Sequence, residues 1–173
     1  MRCGVFGIGN VLLHDDAAGP SLIRFLQARY RFEPDVALED VGTPALDLCG
    51  HLAGFDIVIL VDSVAAEAAP GTVVTYGREA ILKYVPCVRI SPHEPSLAET
   101  FLTLDLMGQS PRHVSLVGIV PRSTDGGLGL SDEVRAALPE AAAAVVAELA
   151  MFGVEAHEND NAVDYWWEPL SAA

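Results

Sequence analysis

Seven residues, Asp56-Ile57-Val58-Ile59-Leu60-Val61-Asp62, constrain what this chain can fold into more than any other stretch. Between the two aspartates the run is apolar and mostly β-branched, without the alternation that would leave one face to water. A strand of this kind has to be covered on both faces, as central strands of parallel sheets are. Parallel neighbours need long crossover connections, and helices usually supply them.

The rest of the chain fits that demand. Residues 3–8 are a short apolar run ending in glycine and read as a buried strand. Residues 18–30 place Leu22, Phe25, Leu26 and Tyr30 at helical spacing, with Pro20 tolerated in the first turn. Val36 to Val41 reads as a second strand, closed by Gly42-Thr43-Pro44, and a short helix through Leu46, Leu48 and Leu52 follows. Gly71 to Tyr76 reads as a strand near an edge. Ser96-Leu97-Ala98-Glu99 is a capping box opening a helix with Leu97, Phe101 and Leu104 on one face, ending near Gly108. His113 to Val120 is the last expected strand, and the final helix runs from Ser131 to about Phe152, with Asp132 and Glu133 at its positive end. The expected fold is α/β: a three-layer α/β/α domain over residues 1–152, with a mostly parallel twisted sheet of about five strands. Residues 153–173, with Trp166 and Trp167 among acids, read as a C-terminal tail.

Charge and cysteine usage exclude several roles. A formal charge of −14 and only 10 basic residues, Lys83 the one lysine, argue against nucleic acid or an anionic membrane surface as partner. Cys3, Cys49 and Cys87 are far apart and form no C-x-x-C pair, so neither a disulfide framework nor a thiolate zinc site is expected. Reduced thiols of this kind fit the cytoplasm. The apolar start of the chain is broken by Gly7, Gly9 and Asn10 and stopped by His14-Asp15-Asp16, which is not the pattern of a secretion signal.

Ligands of open α/β sheets collect beyond the carboxyl ends of the strands. Asn10 to Asp16, Glu39 to Thr43, Asp62-Ser63 and Ser91-Pro92-His93 should all reach that rim. A dinucleotide site after Gly7-Ile8-Gly9 lacks a small residue at position 12, where Leu12 stands. It would also set Asp15 and Asp16 against the pyrophosphate. Ser63, Cys49 and Cys87 are possible nucleophiles, but none sits in a nucleophile elbow. Asp16, Asp62 and His93 together make a mixed O/N set that divalent first-row metals accept, with positions left open for water or substrate. Each has an ordinary alternative: Asp16 capping a helix, Asp62 bonding nearby amides, His93 a plain loop histidine.

Gly7-Ile8-Gly9-Asn10-Val11-Leu12-Leu13-His14-Asp15-Asp16, Asp40-Val41-Gly42-Thr43, Val61-Asp62-Ser63-Val64 and Ser91-Pro92-His93 resemble, in order and spacing, the hydrogenase maturation endopeptidases. Gly118-Ile119-Val120-Pro121 and Gly129-Leu130-Ser131 continue the resemblance to about residue 150. The resemblance implies a nickel-dependent hydrolase that cuts a C-terminal extension from the large-subunit precursor of a NiFe hydrogenase once nickel is in place. It implies Asp16, Asp62 and His93 as the metal site; the expectation for the open ligand set is nickel that arrives mainly with the substrate, other divalent metals entering in vitro. Asp40 is the candidate for positioning the attacking water or the peptide. Other hydrogenase maturation proteins are further possible partners. The chain departs from the family pattern where Asp16 stands for a frequent Glu, one methylene longer, and where Val41 stands for a glycine. Pro44-Ala45 replaces a more flexible continuation. The same ligands would also serve a non-catalytic nickel checkpoint or chaperone module, or a metal hydrolase of unrelated substrate.

Overall fold

The computed structural model describes residues 1–44, 48–84 and 97–159. The Ile57–Ser63 run forms strand β4, and all seven of its residues are buried. On one side it pairs in parallel with β1 (Cys3–Ile8), and on the other with β6 (His113–Ile119). Outside β1 lies β3 (Val36–Gly42), also parallel. Beyond β6 the edge is β5 (Val73–Gly77), which runs antiparallel. The sheet order is β3-β1-β4-β6-β5. Three-layer α/β/α architecture with a five-strand, mostly parallel sheet is therefore what the chain adopts.

Helices cover both faces. Helix α1 (Ala18–Arg29) and the long α5 (Asp132–Ala150) pack over one face, where Val5, Ile59, Val61 and Ile119 meet Leu22, Leu26, Val134 and Leu138. On the other face Phe6, Val58, Leu60 and Leu116 meet α2 (Leu48–Leu52), α3 (Arg78–Tyr84) and α4 (Leu97–Leu106) through Leu52, Ile81, Phe101 and Leu104. Alternate residues of β4 thus feed two separate cores, which is the physical reason its sequence shows no polar face.

Three elements differ from the sequence reading. Tyr30, expected at the end of α1, is extended and opens a short strand β2 (Tyr30–Glu33). Glu155–Glu158, assigned to the tail, forms β7, which pairs antiparallel with β2; His113–Ile119 is therefore not the final strand. Helix α3 was not anticipated. The expected start of the helix at Leu46, the cap residue Ser96, Cys87 and the Trp166-Trp167 pair lie outside the described residues.

Candidate functional site

β1 ends at Ile8, and the chain passes through Gly9 and Asn10 into a 3-10 turn, His14–Ala17, that leads into α1. Asp15 and Asp16 are consecutive and both almost fully buried, at 1% and 2% exposure. A turn of three residues separates neighbouring side chains by about 120°, so the two carboxylates face different parts of the molecule.

Asp15 faces the connection between β6 and α5. Its Oδ2 accepts hydrogen bonds from Arg122 N at 2.9 Å, Ser123 N at 3.2 Å and Ser131 Oγ at 2.9 Å, and its Oδ1 from Ser131 N at 2.6 Å. Main-chain bonds reinforce the join: His14 N donates to Gly127 O at 2.8 Å and Gly127 N to Leu12 O at 2.9 Å. Ser131 is also the N-cap of α5, accepting from Val134 N. Asp15 is thus a structural anchor. Sequence reasoning started the helix at Ser131 but did not find the carboxylate that holds it, because the two are 116 positions apart.

Asp16 faces the end of β4. Its Oδ2 accepts from Asn10 N at 2.8 Å and its Oδ1 from Ser63 Oγ at 2.9 Å. It does not cap α1, whose N-cap is Ala17 with no side-chain hydrogen bond. Asp62, 7% exposed, lies one residue before the end of β4, and its Oδ1 accepts from Ser63 N at 2.7 Å. Two candidate ligands thus meet on either side of one serine. Both partners of Asp16 are neutral, and no salt bridge compensates its charge among the described residues.

Asp40 stands at the carboxyl end of β3, exposed, with Oδ1 accepting from Gly42 N at 3.1 Å. Gly42 takes the left-handed conformation of this turn, at φ +58°, and its carbonyl accepts from Gly9 N. A glycine suits that position because an L side chain rarely adopts it. Val41 remains part of β3, half-buried against the second core, so its replacement of a family glycine strains nothing. Asp40 shares the sheet end with Asp16 and Asp62, but its contact is with its own turn.

His93, the third expected ligand, lies outside the described residues, between α3 and α4. Among the described residues no three His, Cys, Asp or Glu side chains converge as a metal site. The two helices flanking His93 are tied together: Arg78 donates from one guanidinium nitrogen to both oxygens of Asp105, at 2.7 and 2.8 Å. The Ser110 hydroxyl and Arg78 hold the Asp105 carboxyl below the usual carboxylate range.

Of the nucleophile candidates, Ser63 and Cys49 lie among the described residues and do not fit covalent chemistry, and Cys3 is inert as well. Ser63 is completely buried and directs its hydroxyl at Asp16. Burial pushes the Cys3 thiol up, away from the reactive thiolate. Cys49 donates to Thr100 O inside the helix layer. A cleft of about 410 Å³ opens on the Asp15 side of the loop, bordered by His14, Arg122, Asp125, Leu128 and Ser131; neither Asp16 nor Asp62 lines it.

A family model described as hydrogenase maturation protease matches residues 20–148. The chain is 36% identical over 160 residues to the hydrogenase 2 maturation protease of Escherichia coli (strain K12), covering 90% of this chain and 95% of that protein. This chain belongs to the hydrogenase maturation proteases. As a member it is a hydrolase of the peptidase class. The protease is also 35% identical over 136 residues to the hydrogenase expression/formation protein HoxM of Cupriavidus necator, covering 78% of this chain and 67% of that one. Its fold superposes on the hydrogenase maturating endopeptidase HybD from E. coli with a TM-score of 0.83 at 34% identity, over 93% of this chain and 99% of that one. The [NiFe] hydrogenase maturation protease HybD from Thermococcus kodakarensis gives a TM-score of 0.62 at 25% identity, over 84% and 97%. The family model begins after Asp16, so that residue rests on its own geometry rather than on the match.

Proposed function

We propose that this protease removes the C-terminal extension of a NiFe-hydrogenase large-subunit precursor after nickel insertion, and that Asp16, Asp62 and His93 read the nickel. The single observation that carries the reading is the meeting of Asp16 and Asp62 on Ser63 at the carboxyl end of the sheet, with no cationic side chain among the described residues supplied to Asp16. Unlike Asp15, which receives four hydrogen bonds, Asp16 shares Ser63 with a second buried carboxylate, and two buried negative charges brought together favour a cation. Two carboxylate oxygens and an imidazole nitrogen suit a divalent first-row ion such as nickel, and other divalent ions would enter the same set in vitro.

Nickel is here part of the substrate: a loaded precursor offers that cation to the carboxylates, and an empty one does not. In the bound state the ion supplies positive charge beside the peptide to be cut. Asp16 and Asp62 orient the loaded precursor, and their burial keeps bulk water from screening that attraction. Asp40, exposed on the neighbouring strand end with one oxygen engaged by Gly42, positions the attacking water or the peptide with the other. The precursor is the partner, and the acidic charge of the chain disfavours nucleic acid or an anionic membrane surface. Cys3 and Cys49 are free thiols, in keeping with work in the cytoplasm.

The test is mass spectrometry of the cognate large subunit in cells lacking this chain. The expected result is a precursor that keeps its extension, trimmed again when the wild-type chain is restored but not by a folded His93→Ala variant. A fully trimmed subunit in the deficient cells would refute the activity, and would leave a binding-only checkpoint as the better reading.

A further inference from the structure

We propose that Ser63 is a positioning residue that sets the geometry of the two carboxylates, an inference that rests on reading Asp16 and Asp62 as metal ligands. Ser63 is hydrogen-bonded to both: its hydroxyl donates to Asp16 Oδ1 at 2.9 Å and its main-chain N–H to Asp62 Oδ1 at 2.7 Å. The serine itself cannot drift. It is completely buried, closes strand β4 opposite Ile119 of β6, and is followed by the Val64 N to Ile119 O bond at 3.0 Å.

Two carboxylates within one hydrogen bond of the same residue repel each other, and each would rotate away if left unheld. The Ser63 N–H fixes one oxygen of Asp62. The Ser63 hydroxyl and Asn10 N together fix both oxygens of Asp16, which removes its freedom about the terminal torsion. A hydroxyl donates one proton, and here the proton points at Asp16, so Ser63 acts through the carboxylate and not on the peptide. The two carboxylates are then held at a set spacing before any ion arrives. Outer partners of this sort orient ligands and are reflected in metal affinity.

The short reach of Asp16 makes the brace necessary. An aspartate has two side-chain torsions and no slack with which to find an ion, so its carboxylate must already stand in the right place. Alanine at position 63 would leave Asp16 Oδ1 without its donor while hardly altering the volume of the site.

The experiment is titration of nickel ion into the full-length wild-type, Ser63→Ala and Ser63→Thr chains, read by broadening of amide NMR signals so that weak binding is still measured. Melting temperatures without metal establish that each variant is folded. Ser63→Ala is expected to bind about tenfold to a hundredfold more weakly than wild type. Ser63→Thr, which keeps the hydroxyl and suits a strand, is expected to restore affinity. Wild-type affinity in a folded Ser63→Ala overturns the proposal, as does a folded Ser63→Thr no better than alanine, because packing rather than the hydrogen bond would then be responsible. Absence of binding by all three, wild type included, would instead overturn the reading of Asp16 and Asp62 as ligands, and the inference with it. Should the alanine variant not fold, Ser63→Cys, of similar volume and a weak donor, takes its place in the comparison.

Discussion

Asp15 and Asp16 share a side chain, a turn and near-complete burial, yet the structure gives them different tasks. Asp15 receives four hydrogen bonds from the β6–α5 connection, and Asp16 receives two from its own loop and from β4. Asp15→Asn should therefore act on stability. An amide nitrogen would face N–H donors that now meet a carboxylate, and at least one would be left buried without an acceptor. The expected loss is about 3 kcal/mol in urea unfolding, since hydrogen bonds to charged groups and unmet buried donors each count for about 1–3 kcal/mol. A variant as stable as wild type would show that the 122–131 segment holds itself. The sequence placed both aspartates at one rim and made Asp16 the candidate ligand, but it did not show that Asp15 is an anchor. That assignment depends on a 3-10 turn and on partners at residues 63 and 122–131, none of which local pattern encodes.

At the scale of elements, the site exists because α1 lies unusually close to the sheet. A Cβ on Gly19 would stand 2.6 Å from Val61 O and closer still to Ile8 O, and a Cβ on Gly7 would stand 2.5 Å from Gly19 O. Main chain touches main chain here, which only residues without side chains permit. Gly19→Ala should push α1 off β1 and β4, costing about 1–3 kcal/mol as overpacking does. Since Asp16 sits three residues upstream, the same substitution should also weaken nickel binding. A lowered midpoint of denaturation with an unchanged slope checks the first effect, and unaltered stability would contradict the close-approach account. Long elements were legible: β1, β3, β4, β6, α1 and α5 fall within a residue or two of the expected bounds, because each carries a full apolar period. Strands β2 and β7 escaped detection. They are four residues each, their outward positions are Arg31, Glu33, Glu155 and His157, and only Phe32 among them is buried. Their pairing is a long-range event that no short window signals. Helix α3, seven residues after an edge strand, escaped for the same reason of length.

At the scale of the molecule, one sheet separates two cores and delivers its carboxyl ends to a common rim. Among the described residues, the sheet order β3-β1-β4 puts Asp40, Asn10 to Asp16, and Asp62 on three adjacent strand ends, from distant parts of the chain. The alternation of strands and helices made this arrangement readable, and the motifs made the family readable. The role of His93, by contrast, belongs to residues outside those described, and rests on the proposal. Acidic composition completes the picture: with a charge of −14, the molecule as a whole favours a cation-bearing partner over an anionic one.

The central claim is that nickel in the precursor decides whether cutting occurs. Incubating the purified full-length protease with purified large-subunit precursor, loaded with nickel or free of it, measures this directly through loss of the C-terminal extension. The account predicts trimming of the loaded precursor and an intact extension on the empty one; equal trimming of both would contradict it.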